Sequence, residues 1–216
     1  MTENIQLLFE DSQIAVCIKP RGVLSQTDSR GGESMITVLE GLTGSKIYPL
    51  HRLDREVSGV MVYAKNQNAA AILSRDIAEH RFKKEYLAII HGTPESSKGK
   101  MHDLLFKDSR TGKVYTVKRM RRGVKEALLE YEVLGSCTVE NTCYSAVRVL
   151  LHTGRTHQIR VQFASRRMPL AGDRKYGGKD HFEDIKLWSH KISFSHPTEK
   201  RELVFTYTPE NECFEF

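Results

Sequence analysis

Apolar and polar positions alternate in short blocks along the chain, and the period of the blocks changes. Ile5 to Phe9 and Ile14 to Ile18 are apolar runs separated by Glu10-Asp11-Ser12, which predicts two strands joined by a tight turn. Lys19-Pro20-Arg21-Gly22 ends the second run, since proline donates no ladder hydrogen bond and glycine permits a sharp turn. From Ser34 to Leu42 the spacing becomes helical through Met35, Val38, Leu39 and Leu42, with Gly41 and Gly44 as stops. Val60 to Ala64 predicts a strand, and Asn66 is placed to cap a helix over Gln67 to about Arg81. Tyr86–Ile90, Val114–Val117, Ala127–Leu134, Tyr144–Leu151, Leu187–Phe194 and Glu202–Tyr207 predict further strands, and Thr156–Ser165 a further helix. Strands outnumber helices, and several neighbours are close enough to pair antiparallel. The class is α+β with a mixed sheet, not a regular βαβ repeat.

Composition narrows the picture a little. The chain has 216 residues, of which 39% are hydrophobic and 28% charged, an ordinary globular balance for one domain or one fold with two lobes. No repeat or low-complexity tract marks off a second domain, so residues 1–216 read as a single unit of function. The formal net charge is +6, which favours polyanionic partners, though mildly. The basic excess gathers in Lys118, Arg119, Arg121, Arg122 and Lys125, and again in Arg166, Arg167, Arg174, Lys175 and Lys179. Solvated surface and nucleic-acid contact fit these clusters equally well. Cys17, Cys137, Cys143 and Cys213 form no CxxC pair and no zinc spacing. Cys17 and Cys143 lie among apolar residues, which predicts buried free thiols. No basic start with an apolar core opens the chain, and no apolar run is long enough to span a membrane, so a reduced, cytoplasmic setting is the default.

Three segments hold candidate chemistry. Asp54 lies in the polar stretch His51-Arg52-Leu53-Asp54-Arg55-Glu56-Val57 ahead of an apolar strand, where Arg52, Arg55 and His51 can supply positive charge. An ionised, positioned aspartate suits a nucleophile or a general base. A surface carboxylate in a local ion pair fits the same residues. Around Thr153-Gly154-Arg155-Thr156-His157-Gln158-Ile159-Arg160, glycine ahead of a helical pattern resembles a turn that presents N–H groups to a phosphate. Arg155 and Arg160 could pair with phosphate or with a buried carboxylate. His152 and His157 have no metal spacing, and each also fits a hydrogen-bonded structural histidine. Tyr86, within Lys84-Glu85-Tyr86, fits a core position or a stacking platform for a displaced base.

In order, these segments resemble the RluA-type pseudouridine synthases over nearly the whole chain. Lys19-Pro20-Arg21-Gly22-Val23-Leu24-Ser25 is similar to the first family motif, and His51-Arg52-Leu53-Asp54 with Ser58-Gly59 to the second. Lys84 and Tyr86 match the Lys-x-Tyr element. Thr153 to Val161, then Pro169-Leu170-Ala171-Gly172-Asp173 and Tyr176-Gly177, match the third motif, and Phe194-Ser195-His196-Pro197 the closing strand. The resemblance implies a mixed, largely antiparallel sheet in two lobes with flanking helices and a central basic cleft. It implies isomerisation of uridine to pseudouridine in transfer RNA or large-subunit ribosomal RNA by base flipping, with no metal and no organic cofactor. It makes Asp54 the catalytic carboxylate, Tyr86 the base-stacking and acid/base residue, and Arg160 the partner that holds Asp54 charged. Arg52 would occupy the space of the flipped nucleotide and Ile159 would wall the base, while His51, Arg155 and His157 would line the RNA site.

The chain departs from the family pattern at Val57, where threonine is usual, at Gln162, where histidine is common, and at Arg167, which replaces a frequent glycine. The first motif begins near residue 14, so recognition is expected to rest on the catalytic domain without a preceding S4-like module, and on a monomer. Two rivals remain. A non-catalytic RNA-binding protein of the same fold would keep the basic surface. A glycoside hydrolase would need a second carboxylate beside Asp54, and none stands out.

Overall fold

The computed structural model describes residues 5–27, 33–177 and 180–208. In chain order the first half forms β1 (Leu7–Glu10), β2 (Ile14–Lys19), α1 (Met35–Thr43), β3 (Tyr48–Pro49), β4 (Ser58–Ala64) and α2 (Gln67–Ala78). There follow β5 (Lys83–His91), β6 (Lys98–Lys107), β7 (Val114–Val117), β8 (Val124–Val139), β9 (Thr142–Leu151) and α3 (Gln158–Ala164). The last strands are β10 (Leu187–Ser195) and β11 (Glu202–Thr206). The mixed α+β class is as the pattern predicts, and β1–β2, β2–β4, β10–β11, β6–β8 and β8–β9 pair antiparallel. The described residues divide into two compact units, one of residues up to Lys84 together with Ser189–Thr208 and one of Glu85–Trp188.

In the first unit the strands lie in the order β1-β2-β4-β10, with β11 on β10 and β3 on β4. All seven residues of β4 are buried. Val60 and Val62 pack with Ile14, Val16, Leu73, Phe82, Ile192 and Phe194, while Met61 and Tyr63, alternating to the other face, reach Ser25. Gly59 is required: it has φ +124°, and a Cβ there would come within 2.2 Å of the Ser189 carbonyl oxygen. Ser34 and Thr37 form a capping box for α1, and Asn66 caps α2 through the Ala69 N–H at 2.9 Å. The helix stops at Ala78, three residues short of the expected end, because the Asp76 carbonyl accepts from Arg81 and Phe82 and His80 turns left-handed at φ 58°. His196 is buried and bonds Asp11 at 2.8 Å, joining the closing strand motif to the β1–β2 turn.

In the second unit the order is β5-β9-β8-β6-β7. Strand β6 has no counterpart in the sequence expectation, nor does the short β3. It runs Lys98-Gly-Lys-Met-His-Asp-Leu-Leu-Phe-Lys107, half exposed, and only Met101 and Leu105 are buried. What substitutes for apolar content is a charge ladder, since Lys98 faces Glu132 and Lys100 faces Glu130 in register on β8. Burial pushes the Cys17 thiol up to about 12. Cys143, by contrast, is an exposed free thiol, at the second residue of β9. Cys213 and Lys179 lie outside the described residues.

Candidate active site

The Asp54 loop joins β3 to β4, and backbone contacts hold it on both flanks. The Ser25 hydroxyl takes the Leu53 N–H at 3.0 Å and lies 3.0 Å from the Leu53 carbonyl, while Tyr63 donates to the Ser25 carbonyl at 2.9 Å. Beyond Asp54, the Gly22 N–H donates to the Arg55 carbonyl at 2.9 Å, and Arg55 Nε returns a bond to the Gly22 carbonyl at 2.7 Å. Arg21 Nε donates to the Glu56 carbonyl at 3.1 Å, and the Val57 N–H closes the turn on the Asp54 carbonyl at 3.1 Å. Leu53 and Val57 are buried, and Asp54 between them is half-buried. The first and second motifs thus form one interlocked structure, with a buried aliphatic position on each side of the carboxylate. Val57 supplies one of these, which accounts for an aliphatic residue at that departure.

The charge around Asp54 differs from the expectation at His51. Arg52 is exposed, and Arg55 Nε is engaged by Gly22. His51 is no cation: burial first, and then the Lys84 charge, drive its pKa down to about 3. A buried cation of this region is Lys19, fully shielded from solvent, whose ammonium donates to the carbonyls of Pro20, Val23 and Arg55 at 2.8, 2.7 and 3.2 Å. Burial lowers Lys19 to about 8 against the opposing pull of Glu56 and Asp54. Its charge therefore bears on Asp54. The Lys-Pro start of the first motif was the available signal for it.

In the second unit, Tyr86 is buried on β5, and Ile159 and Arg160 are buried on α3. Arg160 is held by a partner the sequence did not single out. Its Nε and Nη2 donate to the two oxygens of Asp173, both at 2.7 Å, and the Asp173 side chain is fully buried. Asp173 also accepts the N–H groups of Lys175 and Tyr176 at 3.1 and 3.2 Å. The Arg160 guanidinium lies 5.2 Å from the Tyr176 ring centroid, and the Tyr176 hydroxyl meets His157 Nδ1 at 2.7 Å and the Val114 N–H at 2.9 Å. His157 is thus a structural contact of the third motif as well as a candidate RNA residue.

Helix α3 is shorter than expected, starting at Gln158 after a left-handed His157 at φ 51°. One N–H of this turn is taken within the protein, since Gln158 Oε1 accepts the Arg155 N–H at 3.0 Å and the Thr153 hydroxyl at 2.8 Å. Arg155 is exposed, with its Nε on the Glu126 carbonyl at 2.8 Å. Gln162, fully buried, donates to Asp103 at 2.7 Å. Arg167 has φ 63°, the left-handed conformation that glycine adopts without strain, which explains why glycine suits that position. Of the two basic clusters, the second is largely engaged: Arg166 pairs with Asp103, Lys175 with the Gly112 carbonyl and Arg174 with the Phe182 carbonyl. In the first, Arg119, Arg121, Arg122 and Lys125 are exposed. No helix among the described residues is long and apolar enough to cross a membrane. Nor is any group of three His, Cys, Asp or Glu side chains among them placed to hold a metal ion.

Residues 13–165 match the family model described as RNA pseudouridylate synthase. An uncharacterized RNA pseudouridine synthase of Bacillus subtilis is 32% identical over 213 residues, 95% of this chain and 68% of that protein. The ribosomal large subunit pseudouridine synthase C of Buchnera aphidicola is 34% identical, over 94% of this chain and 66% of its own length. The tRNA pseudouridine synthase C of Vibrio parahaemolyticus is 28% identical, over 93% and 89%. Among solved structures, the human RNA pseudouridylate synthase domain containing 1 superposes with a TM-score of 0.80 at 24% identity, over 97% of this chain and 85% of that one.

Proposed function

Since the chain belongs to the RluA-type RNA pseudouridylate synthase family, we propose that Asp54 is the carboxylate with which it isomerises uridine. The protein is an RNA pseudouridine synthase. The reaction breaks the N1–C1′ bond, turns the uracil and forms a C5–C1′ bond. The base must leave its stack first, at a cost of about a few kcal/mol, so a loop or bulged uridine is the cheaper target. Asp54 attacks C1′, attacks C6 of the base or removes the 2′ proton, and each route needs an ionised carboxylate. Tyr86 stacks on the flipped uracil, Ile159 walls it, and Arg160 compensates the Asp54 charge. Arg52 fills the space the nucleotide leaves, and His51, Arg155 and His157 contribute to the RNA site.

The observation that carries this reading is the interlock of Ser25, Gly22 and Arg55 around Asp54, which fixes the loop through its backbone and leaves the carboxylate itself half-buried. A carboxylate serving only as a surface ion pair needs no such frame. The substrate is transfer RNA or large-subunit ribosomal RNA, the chemistry named for the Vibrio and Buchnera relatives. Transcripts carrying uridine tritiated at C5 test this: isomerisation releases the tritium to water. Binding without release would support the non-catalytic reading, and free uracil the glycosidase reading.

A further inference from the structure

The positive charge of the chain is gathered in one place. Residues 107–125 hold eight lysine and arginine side chains against a single carboxylate, Asp108, a local charge of +7, while the whole chain has +6. Outside this arm the chain sums to −1. The arm comprises the end of β6, the edge strand β7, the turns on either side of β7 and the start of β8. Lys118, Arg119, Arg121 and Arg122, in the turn into β8, are all exposed. None of the eight is ion-paired among the described residues. Nearby cations are treated otherwise, since Lys98 and Lys100 face glutamates and Arg166 pairs with Asp103. Lysines often guard an open sheet edge against pairing with another chain, but β7 itself, Val114-Tyr115-Thr116-Val117, has no charge. Crowded like charges repel one another and weaken the folded state, so crowding without compensation marks a surface that meets an anion.

Cations and rings alternate along this surface. The Arg160 guanidinium lies 5.2 Å from the Tyr176 ring centroid, and Lys113 Nζ lies 5.7 Å from that centroid and 5.9 Å from the centroid of Tyr115. Phe106 stands opposite Tyr115 in register, so the two rings share a face of the sheet, and the Arg121 guanidinium lies 4.9 Å from the Phe106 centroid. The row starts at buried Arg160 and ends at Tyr115, which is 44% exposed, and at exposed Arg121. Tyr176 fixes the inner end, because its hydroxyl accepts the Val114 N–H at 2.9 Å. Cations set among aromatic rings suit a single nucleic-acid strand: phosphates meet the charges, and a base of any identity stacks on a ring. We propose that residues 107–125 hold an unpaired strand of the substrate RNA outside the target nucleotide. Arg119, Arg121 and Arg122 take its phosphates, and Tyr115 stacks on one of its bases. The proposal rests on the reading of the chain as an enzyme that acts on RNA, and adds a second contact surface to it.

The test is a titration of the triple variant Arg119→Gln, Arg121→Gln, Arg122→Gln with fluorescein-labelled oligouridylate over a range of salt. Affinity at low salt should fall by about tenfold to a hundredfold, and the slope of log Kd against log salt should drop by about 2, at about 0.7 per phosphate contact on a single strand. The melting temperature should match wild type, since all three side chains are exposed. Tyr115→Ala should weaken binding by about tenfold with the slope unchanged, the scale of one stacked base. Lysine in place of the three arginines should restore the slope. A wild-type slope in the glutamine variant overturns the proposal, and so does a lysine variant that binds no better than the glutamine one. Capture of phosphatidylglycerol vesicles through the three arginines, with oligouridylate binding unaffected by their loss, assigns the surface to an anionic membrane and also overturns it. The two readings fail separately. If wild type binds oligouridylate through the arm but releases no tritium from transcripts labelled at C5 of uridine, the Asp54 reading falls and the arm stands. If wild type releases tritium and the glutamine variant binds as well as wild type, only the arm falls.

Discussion

Asp54 and Arg160 are placed by opposite means. The Asp54 loop is held through the main chain of Leu53, Arg55 and Glu56, which bonds the Ser25 hydroxyl, the Gly22 N–H, the Lys19 ammonium and Arg21 Nε, while Arg55 Nε donates to the Gly22 carbonyl. Arg160 is held by charge, in a buried two-point fork with Asp173. In the first arrangement the frame runs through backbone groups on either side of the carboxylate. In the second the functional side chain is part of the scaffold, because removing either partner strands a buried charge. Loss of function at the two sites should therefore mean different things, and variants can separate them.

The largest effect on stability is expected at the fork. Asp173→Ala should destabilise the protein by about 3–5 kcal/mol in urea unfolding, whereas Asp54→Ala should stay within about 1 kcal/mol of wild type. Equal losses would erase the distinction. Next comes the hydroxyl in the Asp54 frame. Ser25→Ala leaves the buried Leu53 N–H without its acceptor and should cost about 1–3 kcal/mol. It should also slow isomerisation while RNA binding is retained. The smallest effect is a pH dependence. Burial pushes the Asp180 carboxyl up, but bonds from the Gly172 N–H, His91 and the Phe182 N–H outweigh it, so its pKa lies below the ordinary value. A carboxyl lowered on folding contributes stability above about pH 4 that disappears as the pH falls through its folded pKa. Asp180 binds the residue that precedes Asp173, so acid should weaken the second unit below about pH 4. Asp180→Asn should be less stable at neutral pH and should lose less on acidification. Parallel pH curves for the two proteins would remove this carboxylate from the account.

Much of this was legible in the sequence, for particular reasons. The β2, β4 and β10 runs are apolar enough to be read directly, and Asn66 capped its helix as expected because an Asx side chain at that place has few alternatives. Strand β6 was not legible, since its apolar positions are few and its pairing rests on cross-strand lysine–glutamate contacts that no local window contains. The Asp54 motif could be found, but its charge environment could not. His51 looked like a cation and is neutral, and Lys19 looked like the end of a strand and is a buried cation, because burial depends on the fold. Asp173 stood inside a recognised motif, yet its partner lies 13 residues away across a turn, a distance set by tertiary structure.

The central claim is that Asp54 performs the chemistry on a loop framed through backbone groups on either side of it. Tritium release from RNA labelled at C5 of uridine, measured for wild type and Asp54→Asn at matched RNA occupancy and matched melting temperature, tests this most directly. Release by wild type, none by Asp54→Asn, and similar RNA affinity for both is the predicted result. Release at the wild-type rate by a folded Asp54→Asn protein would contradict it.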